Sequence, residues 1–222
     1  MSATDFATVL GSETYLKIQN NKITNKSLSL GGRYAGEDAD MTTAYQLEVG
    51  IEPGKTFSTN RKFILGVEND MNTGAIFTYS PGLEIFAYKG DLTSTQIGQI
   101  TISAMNSANS TISIDTTSVT GSPTGNIFMA GDWVQPKGSS DNYMYPYQVA
   151  NNVAFSSGTI AVPLNRVPIA QSNTSVGGNG IRVGKGNITF NVKHAEYNPY
   201  YIVPHDRLQY EQESFNLIEV IQ

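Results

Sequence analysis

At 222 residues the chain is long enough to bury a real core, in one large domain or two small ones. Only 15% of residues are charged, the formal net charge is -5, and the 14 Lys and Arg form no basic run, which argues against nucleic acid as a partner. Cysteine is absent, so disulfides and thiolate zinc sites are excluded. With 10% aromatics the low charge is not a signature of disorder. It reads instead as a surface of Ser, Thr, Asn and Tyr that suits contact with neighbours. Met1-Ser2-Ala3-Thr4-Asp5 contains no basic segment followed by an apolar run, so no secretory leader is expected. No stretch reaches the roughly 18 apolar residues of a membrane span.

Along the chain, Asp5 to Leu10 is the one plausible short helix, and from there the periodicity is two. Tyr45, Leu47, Val49 and Ile51 alternate with Gln46, Glu48 and Gly50, a half-buried strand. Leu83, Ile85 and Ala87 predict another strand, with Phe86 and Tyr88 making its second face partly apolar. Short strands follow at Ile100 and Ile102, Ile112 and Ile114, and Ile160, Val162 and Leu164. The cleanest alternation is Ile188, Phe190 and Val192. Gly31-Gly32, Pro53-Gly54, Pro81-Gly82, Ser157-Gly158 and Gly177-Gly178-Asn179-Gly180 punctuate them as turns. Phe215 to Ile221 is apolar on both faces, which fits a strand buried on both sides, or buried on one and covered on the other by a neighbouring subunit.

Short strands at this spacing imply an all-β chain, a sandwich or barrel. Residues 93–183 are especially rich in Ser, Thr, Asn and Gly, whereas the flanks carry more large apolar groups and more Glu and Lys. The expectation is a β-sandwich formed by 1–92 and the returning strands of 184–222, split by an inserted small β-barrel or OB-like domain at 93–183. A single continuous sandwich is the alternative.

Chemistry needs titratable groups gathered in a cleft, and few are offered. His205-Asp206 could join a serine in a triad, but no G-x-S-x-G elbow supports one. His194 and His205 lack any H-x-x-x-H or H-E-x-x-H spacing. Glu37, Asp38 and Asp40 read as a solvated loop, and Glu211 and Glu213 as a solvated edge. Glu68 to Gly74 has alternate oxygen ligands but no distal glutamate, so a turn is expected rather than a calcium loop. Gly184-Lys185-Gly186 is too short to cradle phosphate and reads as a hinge. No enzyme activity and no cofactor is expected.

Tyr143, Tyr145 and Tyr147 recur at spacing two, placing three phenols on one strand face near Trp133. Such a stripe suits core packing or a subunit contact, and alternatively stacking on sugar rings. Phe215, Leu217, Ile218, Val220 and Ile221 form a candidate subunit-contact strand.

Met129 to Gln135, Tyr145 to Val149 and Thr159 to Arg166 resemble a succession found in small β modules inserted in distal tail and related baseplate proteins of tailed phages. Gly31 to Tyr34 and Pro204 to Tyr210 are similar to segments of the same family's split host domain. In this chain a proline precedes Leu164 and Pro168 follows Arg166, which departs from the pattern. The resemblance implies a non-enzymatic virion protein, folded in the host cytoplasm and assembled into the particle. It would be a ring subunit, commonly of six copies, joining the tail tube to receptor-binding parts, with other tail or baseplate proteins and host surface glycans as partners. A carbohydrate-binding β module, or a capsid decoration or fibre protein, is the alternative.

Overall fold

The computed structural model describes residues 3–11, 13–20, 25–28, 34–37, 44–52, 55–137, 145–169 and 179–221. Tyr143, Asp38, Asp40, Gly31 to Arg33, Pro53-Gly54 and Gly177-Gly178 lie outside the described residues. In chain order the elements are α1 (Ala3–Leu10), β1 (Leu16–Asn20), β2 (Asn25–Leu28), β3 (Tyr34–Glu37), β4 (Tyr45–Gly50), α2 (Phe57–Thr73), β5 (Phe77–Tyr79), α3 (Ser94–Gly98), β6 (Thr101–Asn106) and β7 (Thr111–Asp115). They continue with β8 (Asn126–Phe128), β9 (Trp133–Pro136), β10 (Tyr147–Gln148), β11 (Val153–Ala154), β12 (Thr159–Pro163), β13 (Asn179–Val183), β14 (Phe190–His194), β15 (Tyr200–Val203), β16 (Arg207–Tyr210) and β17 (Ser214–Glu219). Most of this is strand in antiparallel sheets with three α-helices, an all-β chain.

The chain divides into two compact units. The first joins residues 1–19, 44–87 and 184–222, and the second 20–43 and 88–183. The insertion expected at residue 93 begins earlier, at residue 88. Leu92 belongs to the second unit's core and Tyr88 packs against it, because the backbone of 88–92 is already tied to that unit by Asp91 N–H to Asn126 O at 2.8 Å.

In the first unit, one antiparallel sheet runs β1-β4-β17-β14-β5. Period two puts Tyr45, Leu47 and Val49, Phe215 and Leu217, Phe190, Val192 and His194, and Phe77 and Tyr79 on a single buried face. Gln46, Thr78, Asn191 and Lys193 occupy the opposite, exposed face. The buried face is covered by α1, α2 and the β15–β16 hairpin, where a second large sheet is expected from sequence. Phe6 of α1 sits 4.9 Å from Phe77, 5.4 Å from Phe215 and 5.6 Å from His194 by ring centroid, and Tyr210 of the hairpin sits 4.9 Å from Phe215.

In two places the local structure differs from the sequence expectation. Helix α2 is 17 residues long and covers Glu68 to Thr73 of the Glu68 to Gly74 stretch read as a turn. Phe57, Ile64, Val67 and Met71 share one face of it. It ends at Gly74, which adopts the left-handed φ of 64° that a helix terminus of this kind requires. Leu83 to Ala87 is not a strand: Glu84–Phe86 form a 3-10 turn with Ile85 exposed and Phe86 buried against Phe190.

In the second unit the sheet order is β10-β9-β13-β6-β7-β12. Strand β13 pairs with β6 through Asn179 and Gly180, then with β9 through Ile181 to Val183, so the sheet turns a corner along it. Its two edge strands approach at a single bridge, Val149 to Leu164, flanked by Ala150 N–H to Pro163 O and Asn165 N–H to Gln148 O, both 2.9 Å. Among the described residues the sheet rolls up without closing into a barrel. Ile100, Ile102, Ile112, Ile114, Val134 and Tyr147 fill its interior.

Candidate functional site

Trp133, Tyr145 and Tyr147 are 3%, 4% and 0% exposed. No three-tyrosine strand face exists among the described residues, because Pro146 interrupts the run and β10 begins only at Tyr147. The Tyr147 hydroxyl accepts the Ile169 N–H at 2.9 Å, and the Arg166 guanidinium lies 5.0 Å from its ring centre while donating to Pro146 O at 2.7 Å. These aromatics hold the second unit together, and the glycan-contact reading of Trp133, Tyr145 and Tyr147 is corrected on that ground.

Strand β17 is central, flanked by β4 and β14, so it offers no free edge. Phe215 and Leu217 are buried in the core, Ile218 and Val220 are half-buried, and Ile221 is exposed. His194 is enclosed by Phe6, Phe77 and Phe215, and burial lowers its pKa to about 4. Its Nε2 has no hydrogen-bond partner among the described residues. Gly184-Lys185-Gly186 forms a tight turn, with Asn187 N–H donating to Gly184 O at 3.1 Å and Lys185 reaching Glu84. Among the described residues no three His, Asp or Glu side chains are grouped to hold a metal.

The feature that sequence reasoning missed is the β15–β16 hairpin, which is fastened to α2 in the first unit. Thr56 makes no side-chain cap at the start of α2. That work falls to Asp206 in the hairpin turn: its backbone oxygen accepts the Phe57 N–H at 2.9 Å, and its carboxylate accepts the Ser58 N–H at 3.0 Å and the Ser58 hydroxyl. Asp206 is therefore the cap of helix α2, and the His205-Asp206 turn has this structural role. Leu208 N–H donates to Lys55 O at 2.7 Å, and the Phe57 and Tyr200 rings stack at 5.9 Å. Tyr197 and Tyr200 both donate to the Glu68 carboxylate, at 3.1 and 3.4 Å. Loss of solvent, with Glu68 second, raises both phenol pKa values. At the hairpin base Asn198 is buried; its side-chain amide donates to Gln212 O and Ser214 O and its oxygen accepts Gln212 N–H.

This fixes the inner strand, β16, and leaves β15 outermost. Tyr201 and Ile202 are 49% and 51% exposed, and Tyr197 and Leu65 are also exposed. Glu211 N–H donates to Pro199 O, so the alternation of an antiparallel ladder makes Tyr201/Gln209 and Val203/Arg207 the hydrogen-bonded pairs. The N–H and C=O of Tyr200 and Ile202 then point away from β16, with no partner among the described residues. Edge strands that stay unpaired are blunted by charge, proline or a bulge, and Tyr200-Tyr201-Ile202-Val203 has none of these. The outward row of donors and acceptors can take an added strand.

A cleft of about 580 Å³ opens elsewhere in the same unit, with Tyr15, Glu52, Lys55, Arg207, Tyr210 and Glu213 among its walls. Lys55 spends its ammonium on Thr8 O. A scan of protein-family models and a search of curated proteins gave no match to this chain.

Proposed function

We propose that the chain is a structural subunit of a tailed-phage particle, a tail-tip or baseplate ring component that works by holding partners in place. The observation that carries an assembly role is the β15 edge: an anchored, uncharged strand whose outward backbone groups have no partner among the described residues, with Tyr201 and Ile202 exposed. The kind of particle is inferred from the resemblance of Met129 to Gln135, Tyr145 to Val149 and Thr159 to Arg166 to modules of distal tail proteins. The charge-poor surface supports the same reading, since charged groups are the ones depleted from interface cores. Ring copies, other tail proteins and host glycans are the partners this role would engage.

Gradient-purified particles, quantified by mass spectrometry and imaged by cryo-electron microscopy, test the proposal. The expected result is a fixed copy number per particle and density for the chain near the tail tip. A chain that remains a free monomer and is absent from particles overturns it. So does turnover of a polymer that vanishes when one acidic or imidazole side chain is replaced.

A further inference from the structure

We infer that β15 pairs antiparallel with β15 of a second copy of this chain, about a twofold axis at Tyr201, to form a four-stranded sheet β16-β15-β15-β16. Tyr200 and Ile202 each present an outward N–H and C=O, two positions apart on one edge. Rotating the strand by half a turn about Tyr201 sets Tyr200 against Ile202 of the other copy, and Ile202 against its Tyr200. All four donors and acceptors per pair of copies then meet, as hydrogen-bonded pairs. Pro199 does not obstruct this, because it sits in the pair with Glu211 and its missing N–H faces β16.

The side chains agree with the register. On the face that carries the buried Leu208 and Tyr210, the row across the four strands reads Leu208, Ile202, then Tyr200 and Tyr210 of the other copy. That row is wholly apolar or aromatic, and it covers the exposed Ile202. On the opposite face the exposed Tyr201 meets its own copy in a non-hydrogen-bonded pair, the closer of the two kinds, where aromatic pairs are favourable. The remaining row runs Arg207, Val203, then Pro199 and Glu211 of the other copy, so each end of the sheet carries charges of opposite sign. The contact is isologous, which is what a self-complementary edge requires. It is short, at the small end of specific interfaces, so the dimer forms as protein concentration rises. It does not depend on the particle reading.

Because the chain has no cysteine, a single engineered thiol reports the axis directly. Paired residues of the Tyr201 kind have Cα atoms about 4.5 Å apart, within disulfide reach. Under mild oxidant Tyr201→Cys is expected to give a linked dimer. Gln209→Cys, also exposed and on the same face but one strand farther from the axis, is expected to stay monomeric. In sedimentation velocity the unmodified chain shifts from monomer to dimer with concentration. Ile202→Pro removes one outward donor while sparing the hairpin's own ladder, and it abolishes that shift with the circular dichroism spectrum unchanged. Equal crosslinking of the two thiol variants, or a monomer at every concentration, overturns the proposal. A chain found in particles yet failing both tests sinks the twofold contact alone.

Discussion

Asp206 caps helix α2 through Ser58, accepting its N–H at 3.0 Å and its hydroxyl as well. The cap comes from a turn 148 residues further along the chain, where His205 and Asp206 both adopt left-handed φ values, 70° and 59°. Such a conformation disfavours side chains, so the contacts made by Asp206 offset local strain. Asp206→Ala removes the cap and keeps the strain, and should cost about 0.5–2 kcal/mol. Asp206→Gly relieves the strain and should cost less. Chemical denaturation of the two variants ranks them; equal stability for all three proteins would remove the capping account.

The buried His194 gives a pH dependence whose sign follows from its environment. Its folded pKa, about 4, lies below the ordinary imidazole value of 6.5 because burial penalises the charged ring. The unfolded chain therefore binds a proton first as pH falls. Stability is fully present above about pH 6.5 and is lost between there and pH 4, by up to about 3 kcal/mol at the usual 1.36 kcal/mol per unit. His194→Phe keeps an aromatic among Phe6, Phe77 and Phe215 and has no proton to bind. Urea midpoints from pH 7 to 4.5 should slope less in that variant than in the parent, and parallel slopes would contradict the assignment.

The sheets were legible because one buried face imposes period two, as in Tyr45, Leu47 and Val49 or Phe190 and Val192. Helix α2 was not, because Ser58 to Lys62 separates its apolar positions and its cap lies in a distant turn. The tyrosine spacing misled because a period of two means one face only in an unbroken strand, and Pro146 breaks this one. The β15 edge was hidden for a different reason. Tyr200 to Val203 is continuously apolar, and such a run does not say which strand neighbours it lacks.

Asp132 gives the Met129–Gln135 segment a structural account. Its carboxylate accepts Lys89 N–H with one oxygen and Met129 N–H with the other, both at 2.9 Å, and it is 2% exposed. An amide side chain has a single acceptor oxygen, so Asp132→Asn leaves one part-buried N–H without its partner. The expected cost is about 1–3 kcal/mol. Hydrogen exchange at Lys89 and Met129 should accelerate with that loss. Unchanged protection at both amides would mean that the carboxylate is dispensable.

Trp133 and Tyr145 separate packing from sugar binding. Both are almost wholly buried, so truncation removes core volume and should cost about 3–5 kcal/mol for Trp133→Ala. A residue that only stacked on a glycan would lose binding and keep its folding free energy, because little of its surface is buried until the ligand arrives. Thermal unfolding of Trp133→Ala and Tyr145→Ala is therefore expected to show a marked fall in midpoint, with near-ultraviolet signals weakened in both. If instead either variant melts like the parent and loses affinity on a glycan array, the side chain reaches solvent and the packing described for the second unit is wrong at that position.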